Sequence, residues 1–150
     1  MDQKGLRGSS PTRIDDKGRL KVPNGFRTTI ESQWGQELFV TSVTGEFVRL
    51  YPMAVWLEIE RRLATMPQTH PSRLRFLDRV SFYGQVAAMD RQGRILIPQL
   101  LRESAQMAGE VSVLGQQNQL AVWNLKRLSE RLKKEPFTEE DGRLLAEHGI

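Results

Sequence analysis

Ile14-Asp15-Asp16-Lys17-Gly18-Arg19-Leu20-Lys21-Val22-Pro23-Asn24-Gly25-Phe26-Arg27 recurs without a gap as Met89-Asp90-Arg91-Gln92-Gly93-Arg94-Ile95-Leu96-Ile97-Pro98-Gln99-Leu100-Leu101-Arg102. The offset is 75 residues in a chain of 150, and five of the fourteen positions are identical: Asp, Gly, Arg, Pro and Arg. The apolar positions Ile14/Met89, Leu20/Ile95, Val22/Ile97 and Phe26/Leu101 match in character. A repeat at half the chain length points to duplication.

Each copy has a legible local physics. Gly18 and Gly93 stand where a tight hairpin turn needs positive φ, which a Cβ would penalise. Asp15 and Asp90 can accept hydrogen bonds from backbone amides across the turn, or pair with Arg19 and Arg94. Leu20-x-Val22 and Ile95-x-Ile97 alternate with period two, so one strand face is buried. Pro23 and Pro98 stop the ladder and pre-set φ for a helix start. Phe26 and Leu101 then face the core, with Ile30 and Ala105 one turn further on.

The flanks repeat as well. A helical stretch from Thr28 to Trp34 precedes strands Leu38–Thr41 and Phe47–Tyr51, joined by a turn at Thr44-Gly45. In the second copy Glu103 to Ala108 precedes strands Val111–Leu114 and Leu120–Trp123, joined by a turn from Gly115 to Asn118. Each half therefore reads as hairpin, short helix, hairpin. A half of about 40 residues cannot bury enough surface alone without a metal or disulfide. The halves should share one core as a pseudo-two-fold pair with interleaved hairpins. The boundaries expected are 6–53 and 85–127 for the two modules, 54–84 for a helical linker and 128–150 for a helical tail. In the linker, Met53 to Leu63 places Trp56, Ile59 and Leu63 at helical spacing, and the prolines at Met66-Pro67 and His70-Pro71 break it. Arg73 to Phe82 reads as a second helix with Leu74, Leu77 and Phe82 inward and Arg75 and Arg79 outward. Leu125 to Lys134 is a third, ending before Pro136; Thr138 to Ile150 is weakly helical and loosely attached.

Composition narrows the chemistry. Apolar residues make up 39% of the chain, cysteine is absent, and His70 and His148 are the two histidines. Disulfides, thiol catalysis, cysteine-bound zinc and paired-histidine mechanisms are thereby excluded. Mean hydropathy is −0.47, and no apolar run approaches the roughly 20 residues of a membrane helix. The first residues lack a signal-peptide core, so a cytoplasmic protein is expected. The net charge of +4 is unevenly spread. Residues 1–30 hold seven bases and three acids, 31–60 one base and five acids, 61–102 eight bases and two acids, and 103–150 six bases and eight acids. Segregated positive charge suits a polyanion, because each neutralised phosphate releases counterions; a solvated, unevenly charged surface is the alternative. Glu58/Glu60 and Glu139/Glu140/Asp141 have no neighbouring nucleophile, base or glycine-rich loop and read as solvated faces. There is no Walker motif and no dinucleotide fingerprint.

The two motifs, with Val113-x-Gly115-x-x-Asn118-x-x-x-x-Trp123 after the second, resemble the MraZ family of bacterial transcriptional regulators, which carry two tandem SpoVT/AbrB-like modules. The resemblance spans about residues 6–127, with Leu6-Arg7-Gly8 where the family usually has Phe-Arg-Gly. It implies an α+β, β-rich fold, a pseudo-two-fold swapped-hairpin barrel with helices packed around it, and assembly into homo-oligomeric rings. It also implies binding of double-stranded DNA at short direct repeats upstream of the division and cell-wall gene cluster, mainly as a repressor, in the cytoplasm and on the nucleoid. No enzyme activity, cofactor, metal, membrane or small-molecule substrate is expected. Several features depart from the family pattern. Pro11 should make the first strand an edge or shorten it; residues 1–5 extend beyond the usual start and are expected to be disordered. Gln92 replaces the lysine of the first loop, and the tail after about Arg131 falls outside the resemblance.

The resemblance makes the Lys17-Gly18-Arg19 tip the base-reading element. A hairpin tip can enter the major groove, a bare glycine backbone permits close approach, and arginine can read guanine O6 and N7. Bracing of the turn by an Arg19–Asp15 pair is the structural alternative, and the two are compatible. The second tip, Arg91, Gly93 and Arg94, ranks below the first because Gln92 is neutral and Asp90 can hold Arg94. Arg13 and Lys21 flank the first tip and suit phosphate contacts, which position without specifying. Arg27 and Arg102 sit one turn into helices and fit packing or an inter-module ion pair. Trp34, Tyr51, Trp56 and Trp123 lie on periodic apolar faces, as core or subunit interface, and His70 is solvated. The rival reading is an antitoxin-like interaction module, with a barrel for dimerisation and a tail that wraps a toxin.

Overall fold

The computed structural model describes residues 5–150. The expected disorder of residues 1–5 concerns, at residues 1–4, positions outside the described residues. The chain runs β1 (Leu6–Arg13), β2 (Arg19–Lys21), α1 (Asn24–Gln33), β3 (Glu37–Thr41), β4 (Val48–Pro52), α2 (Met53–Leu63) and α3 (Pro71–Tyr83). It continues as β5 (Gln85–Ala88), β6 (Arg94–Leu96), α4 (Gln99–Ser104), β7 (Glu110–Gln117), β8 (Leu120–Asn124), α5 (Leu125–Lys134) and α6 (Glu139–Ala146). The fold is α+β and rich in antiparallel sheet.

Six strands form one sheet in the order β1-β7-β8-β4-β3-β5, while β2 and β6 form a separate two-stranded sheet. Exchanging each strand for its repeat equivalent turns the larger order into its own reverse, so the sheet has a pseudo-two-fold axis between β4 and β8. The register places the axis: Val48 pairs with Val122 and Leu50 with Leu120, about Arg49 and Ala121. In the small sheet Leu20 pairs with Ile95, again about the centre. Every junction between hairpins joins strands from different halves. The pairing does not close a barrel among the described residues, because β2 and β6 leave the large sheet to pair with each other and β1 and β5 remain its two edges.

The buried residues explain the interleaving. Leu20, Val22, Leu38, Val40, Val48 and Leu50 of the first half form one cluster with Ile95, Ile97, Leu101, Val111, Val113 and Leu120 of the second. The main core is thus built jointly by the two halves. A smaller cluster lies under α2 and α3, where Tyr51, Trp56 and Val80 pack with Phe39, Met53, Ile59 and Phe76. Trp56 sits at its centre, with ring centroids 4.6 Å from Phe39 and 5.0 Å from Tyr51. Trp123 is buried too, stacked on Phe47 at 4.4 Å, and Trp34 is partly buried against the main core.

Several local expectations are corrected. Both repeat helices begin directly after their proline, α1 at Asn24 and α4 at Gln99, and α4 ends at Ser104. Pro23 and Pro98 occupy the N-cap, with φ/ψ of −54°/140° and −55°/143°, rather than the first helical position. β7 runs through Gly115 to Gln117, because β1 pairs with it along its whole length. Pro11 therefore lies in an edge strand that is not shortened. On α3 the inward residues are Phe76 and Val80, whereas Leu74 and Phe82 are 46% and 62% exposed; the helix meets β3 about one position out of the expected phase. α2 and α5 occupy the expected residues, and α6 forms a capping box between Thr138 and Asp141.

Candidate nucleic-acid interface

The two Asp-x-x-Gly-Arg tips have the same construction. In the first, Asp15 Oδ1 accepts from the amides of Lys17 and Arg19 at 3.0 and 2.8 Å, and Oδ2 accepts from Arg19 Nε at 2.8 Å. In the second, Asp90 Oδ1 accepts from Gln92 and Arg94 at 2.9 Å each, and Oδ2 from Arg94 Nε at 2.9 Å. Gly18 and Gly93 have φ of 83° and 75°, as the turn requires. Both carboxyls are held below the usual aspartate range, first by the amide of the following arginine, against a smaller opposing effect of desolvation. The brace uses Nε of each arginine. Among the described residues, Nη1 and Nη2 of Arg19 and Arg94 have no protein partner.

The tips are joined through β2 and β6. Val22 N donates to Gly93 O at 2.8 Å and Ile97 N to Gly18 O at 3.0 Å, so each glycine carbonyl receives a strand from the other half. The three-residue ladder between the tips is about 10 Å long. The repeated arginines lock the pair from behind. Arg102 packs its guanidinium against Gly18, and Arg27 packs its side chain against Gly93. Arg27 Nη2 also donates to Arg91 O at 2.8 Å, and Arg102 Nη1 donates to Ile97 O. The packing role expected of Arg27 and Arg102 is thus exerted across the halves. Gly18 and Gly93 are buried by these contacts; their missing Cβ admits an arginine of the same protein.

The remaining cations are distributed around this unit. Lys17 and Arg91 are the exposed cations of their tips, and Asp16 adjoins Lys17 in sequence with no acidic counterpart in the second copy, where Arg91 holds its position. Arg13 is exposed at the end of β1, opposite Glu110. Lys21 Nζ donates to Gln92 O, binding β2 to the second tip. His70 is exposed, and its Nδ1 accepts from Ser72 N at 3.1 Å to cap α3, a role the His-Pro-Ser order could have suggested. Of the acidic pairs read as solvated, Glu60 accepts from Trp56 Nε1 at 2.9 Å and Asp141 serves the α6 cap. Among the described residues no group of three or more His, Asp or Glu could hold a metal, and no helix is long and apolar enough to cross a membrane.

The family model described as "MraZ protein, putative antitoxin-like" matches residues 6–79 and 85–147. The chain belongs to the MraZ family. A Transcriptional regulator MraZ of Acidobacterium capsulatum is 46% identical over 145 residues, covering 97% of this chain and 99% of its own length. That of Koribacter versatilis is 48% identical over 146 residues, with the same coverage. The Chromobacterium violaceum protein of the same name is 34% identical over 117 residues, 78% of this chain and 79% of its own length. The MraZ match reaches residue 147 and so includes α5 and α6, which corrects the expectation that the resemblance stops before the tail.

Proposed function

We propose that this chain is a sequence-specific, DNA-binding transcriptional regulator of the MraZ type. It acts mainly as a repressor at direct repeats upstream of the division and cell-wall gene cluster, as a ring-shaped homo-oligomer in the cytoplasm and nucleoid. The observation that carries this reading is the free guanidinium fork of Arg19 and Arg94. Asp15 and Asp90 fix each arginine through Nε and leave both outer nitrogens for an acceptor pair such as guanine O6 and N7. The side chain that reads a base is therefore pre-ordered, which lowers the entropy cost of binding.

Lys17, Arg13, Lys21 and Arg91 supply phosphate contacts around the two tips. Gly93 stands level with Val22, four residue steps or about 13 Å along β2 from Gly18, which corresponds to about four base pairs at 3.4 Å each, so both tips can follow one groove. Two tips per chain bind weakly, and a homo-oligomer that presents several to spaced repeats gains affinity through effective concentration. The swapped-hairpin architecture of the family belongs to the same reading; its support is the exchange of strands between halves at β1–β7, β4–β8 and β3–β5. Nothing in this reading calls for catalysis, a cofactor, a membrane or a small-molecule substrate.

The test is fluorescence anisotropy with a labelled promoter duplex carrying the direct repeats and a scrambled duplex of equal length. Tighter binding to the repeats, lost in Arg19→Ala, is expected. Equal affinity for the two duplexes would overturn the claim of sequence specificity.

A further inference from the structure

A cavity of about 340 Å³ opens between α2 and α3, walled by Ile59, Leu63, Met66 and Phe76 and flanked by Arg62 and Arg73. Arg73 is held in place by its Nε, which donates to Leu63 O at 3.2 Å. The surface around this groove is net basic: from Glu58 to Arg79 there are five arginines and three acids, Glu58, Glu60 and Asp78, with Glu58 paired to Arg61 at 2.8 Å and to Arg62 at 3.7 Å. An apolar floor with cationic edges suits an aromatic side chain set among carboxylates.

The C-terminal segment has the complementary chemistry. Residues 135–150 hold five acids and one base. Glu139, Glu140 and Asp141 form the first turn of α6, and Phe137, just before its cap, is 71% exposed. A hydrophobic residue at that position ordinarily packs against the fourth helical residue; here that residue is Gly142, which has no side chain to offer. α6 is eight residues long and buries none of them. A helix of that length is marginal in water without a partner surface. The start of the tail is fixed by α5, tied to the β3–β4 turn through Arg127 Nη1 to Glu46 O at 2.9 Å and Arg131 to Glu46 at 3.1 Å. Among the described residues of one chain, Phe137 leans on Gly142 and is otherwise open, and nothing covers the apolar groove.

We propose that Phe137 and the acidic first turn of α6 from one copy dock into the α2–α3 groove of a second copy. Phe137 enters between Ile59, Leu63, Met66 and Phe76, and Glu139 and Glu140 lie against Arg62 and Arg73. The proposal rests on the self-association included in the proposed function and adds the contact that makes it. Charge complementarity selects the occupant, and the unsupported α6 gives it a reason to bind.

The chain has no cysteine, so introduced ones report the contact without background. A full-length Pro136→Cys variant is mixed with a full-length Ser72→Cys variant, oxidised mildly, and hetero-linked dimers are counted by mass. Hetero-linked dimers are expected in excess over either homodimer, with a yield about 10-fold lower when Phe137→Ala is added. Circular dichroism of each variant checks that it is folded. A third full-length chain carrying both Pro136→Cys and Ser72→Cys is oxidised in parallel; a disulfide formed solely within that chain, with no hetero-linked dimer in the mixture, would put the tail in its own groove and overturn the proposal. Linking unaffected by Phe137→Ala would overturn it too, as would loss of linking when repeat DNA occupies the groove. Anisotropy on the same mixtures separates the two ideas: lost repeat specificity with linking intact removes the regulatory reading and leaves the docking contact standing.

Discussion

Arg102 lies against Gly18 across the junction of the two halves, so closely that a Cβ on Gly18 would stand 2.0 Å from its Nη1. The motif's glycine and its distant arginine, 84 positions apart in sequence, thus form one contact. The reciprocal contact between Gly93 and Arg27 would place a Cβ 2.8 Å from Arg27 Cδ. Each half completes the tip of the other, and the spacing Gly-Arg-x-x-x-Pro-x-x-x-Arg is retained in both copies because both ends of the contact are needed twice.

Gly18→Ala therefore carries two penalties. The φ of 83° costs an L residue about 1–2 kcal/mol, and the methyl displaces the Arg102 guanidinium. Urea unfolding is expected to show a loss of about 2–3 kcal/mol. In an Arg102→Ala background the steric part disappears and about 1–2 kcal/mol remains. An unchanged cost in that background would show that the guanidinium contact carries no energy.

The aspartate braces predict a specific response to acid. Asp15 and Asp90 titrate below the usual aspartate range in the folded protein, principally because of the Arg19 and Arg94 amides. A group with a depressed folded pKa contributes stability that is fully present above its unfolded pKa and is lost as pH falls through the folded one. The stability difference between the wild-type chain and Asp15→Asn should thus be constant at neutral pH. It should shrink below the ordinary aspartate range and vanish once the native carboxyl is protonated. Carboxyl-detected NMR titration of Asp15 and Asp90 checks the direction independently, and values at or above those of free aspartate would contradict the brace.

Local chemistry was readable where one residue's backbone or a short period decides the outcome. The positive φ at Gly18 and Gly93, the Asp-amide bonds of the turns, and the buried Leu20-x-Val22 and Ile95-x-Ile97 faces all follow from side-chain size, hydrogen-bonding capacity and alternation. What sequence spacing did not reveal is set by partners far along the chain. β7 continues through Gly115 because β1 lies beside it, and α3 turns Phe76 rather than Leu74 inward because its rotation is chosen by Trp56 and β3. Arg102 reads locally as a residue one helical turn after a proline; nothing near it indicates Gly18. The braces at Asp15 and Asp90 were legible, whereas the burial of both tip glycines was not, since it depends on the pseudo-two-fold axis bringing the second half's helix onto the first tip.

The shared core makes the halves one folding unit. Leu20 is fully buried and sits opposite Ile95, which is 1% exposed, on the pseudo-axis. Leu20→Ala should cost about 2–5 kcal/mol. Because the same cluster holds residues of both halves, tryptophan fluorescence and far-UV circular dichroism should shift together in one transition. Two separated transitions would mean that each half keeps a core of its own.

If the proposed function holds, the two tips should make separable contributions to DNA binding. Lys17 and Arg91 are exposed beside braced arginines, a placement suited to phosphate. Replacing either by alanine should weaken repeat and scrambled duplexes alike and reduce the slope of log K against log salt by about 1 for each engaged tip. Arg19→Ala should instead act on the repeats, with a loss of about 1–3 kcal/mol for a two-bond base contact and little change on the scrambled duplex. Arg94→Ala should cost less than Arg19→Ala, since Gln92 offers no charge where Lys17 stands in the first copy. The geometry of the two braces is nearly identical, at 2.8 and 2.9 Å, so any difference between these variants reports the DNA face and not the stability of the turn. Equal losses would mean that both tips read bases and that Arg91 compensates for the neutral Gln92.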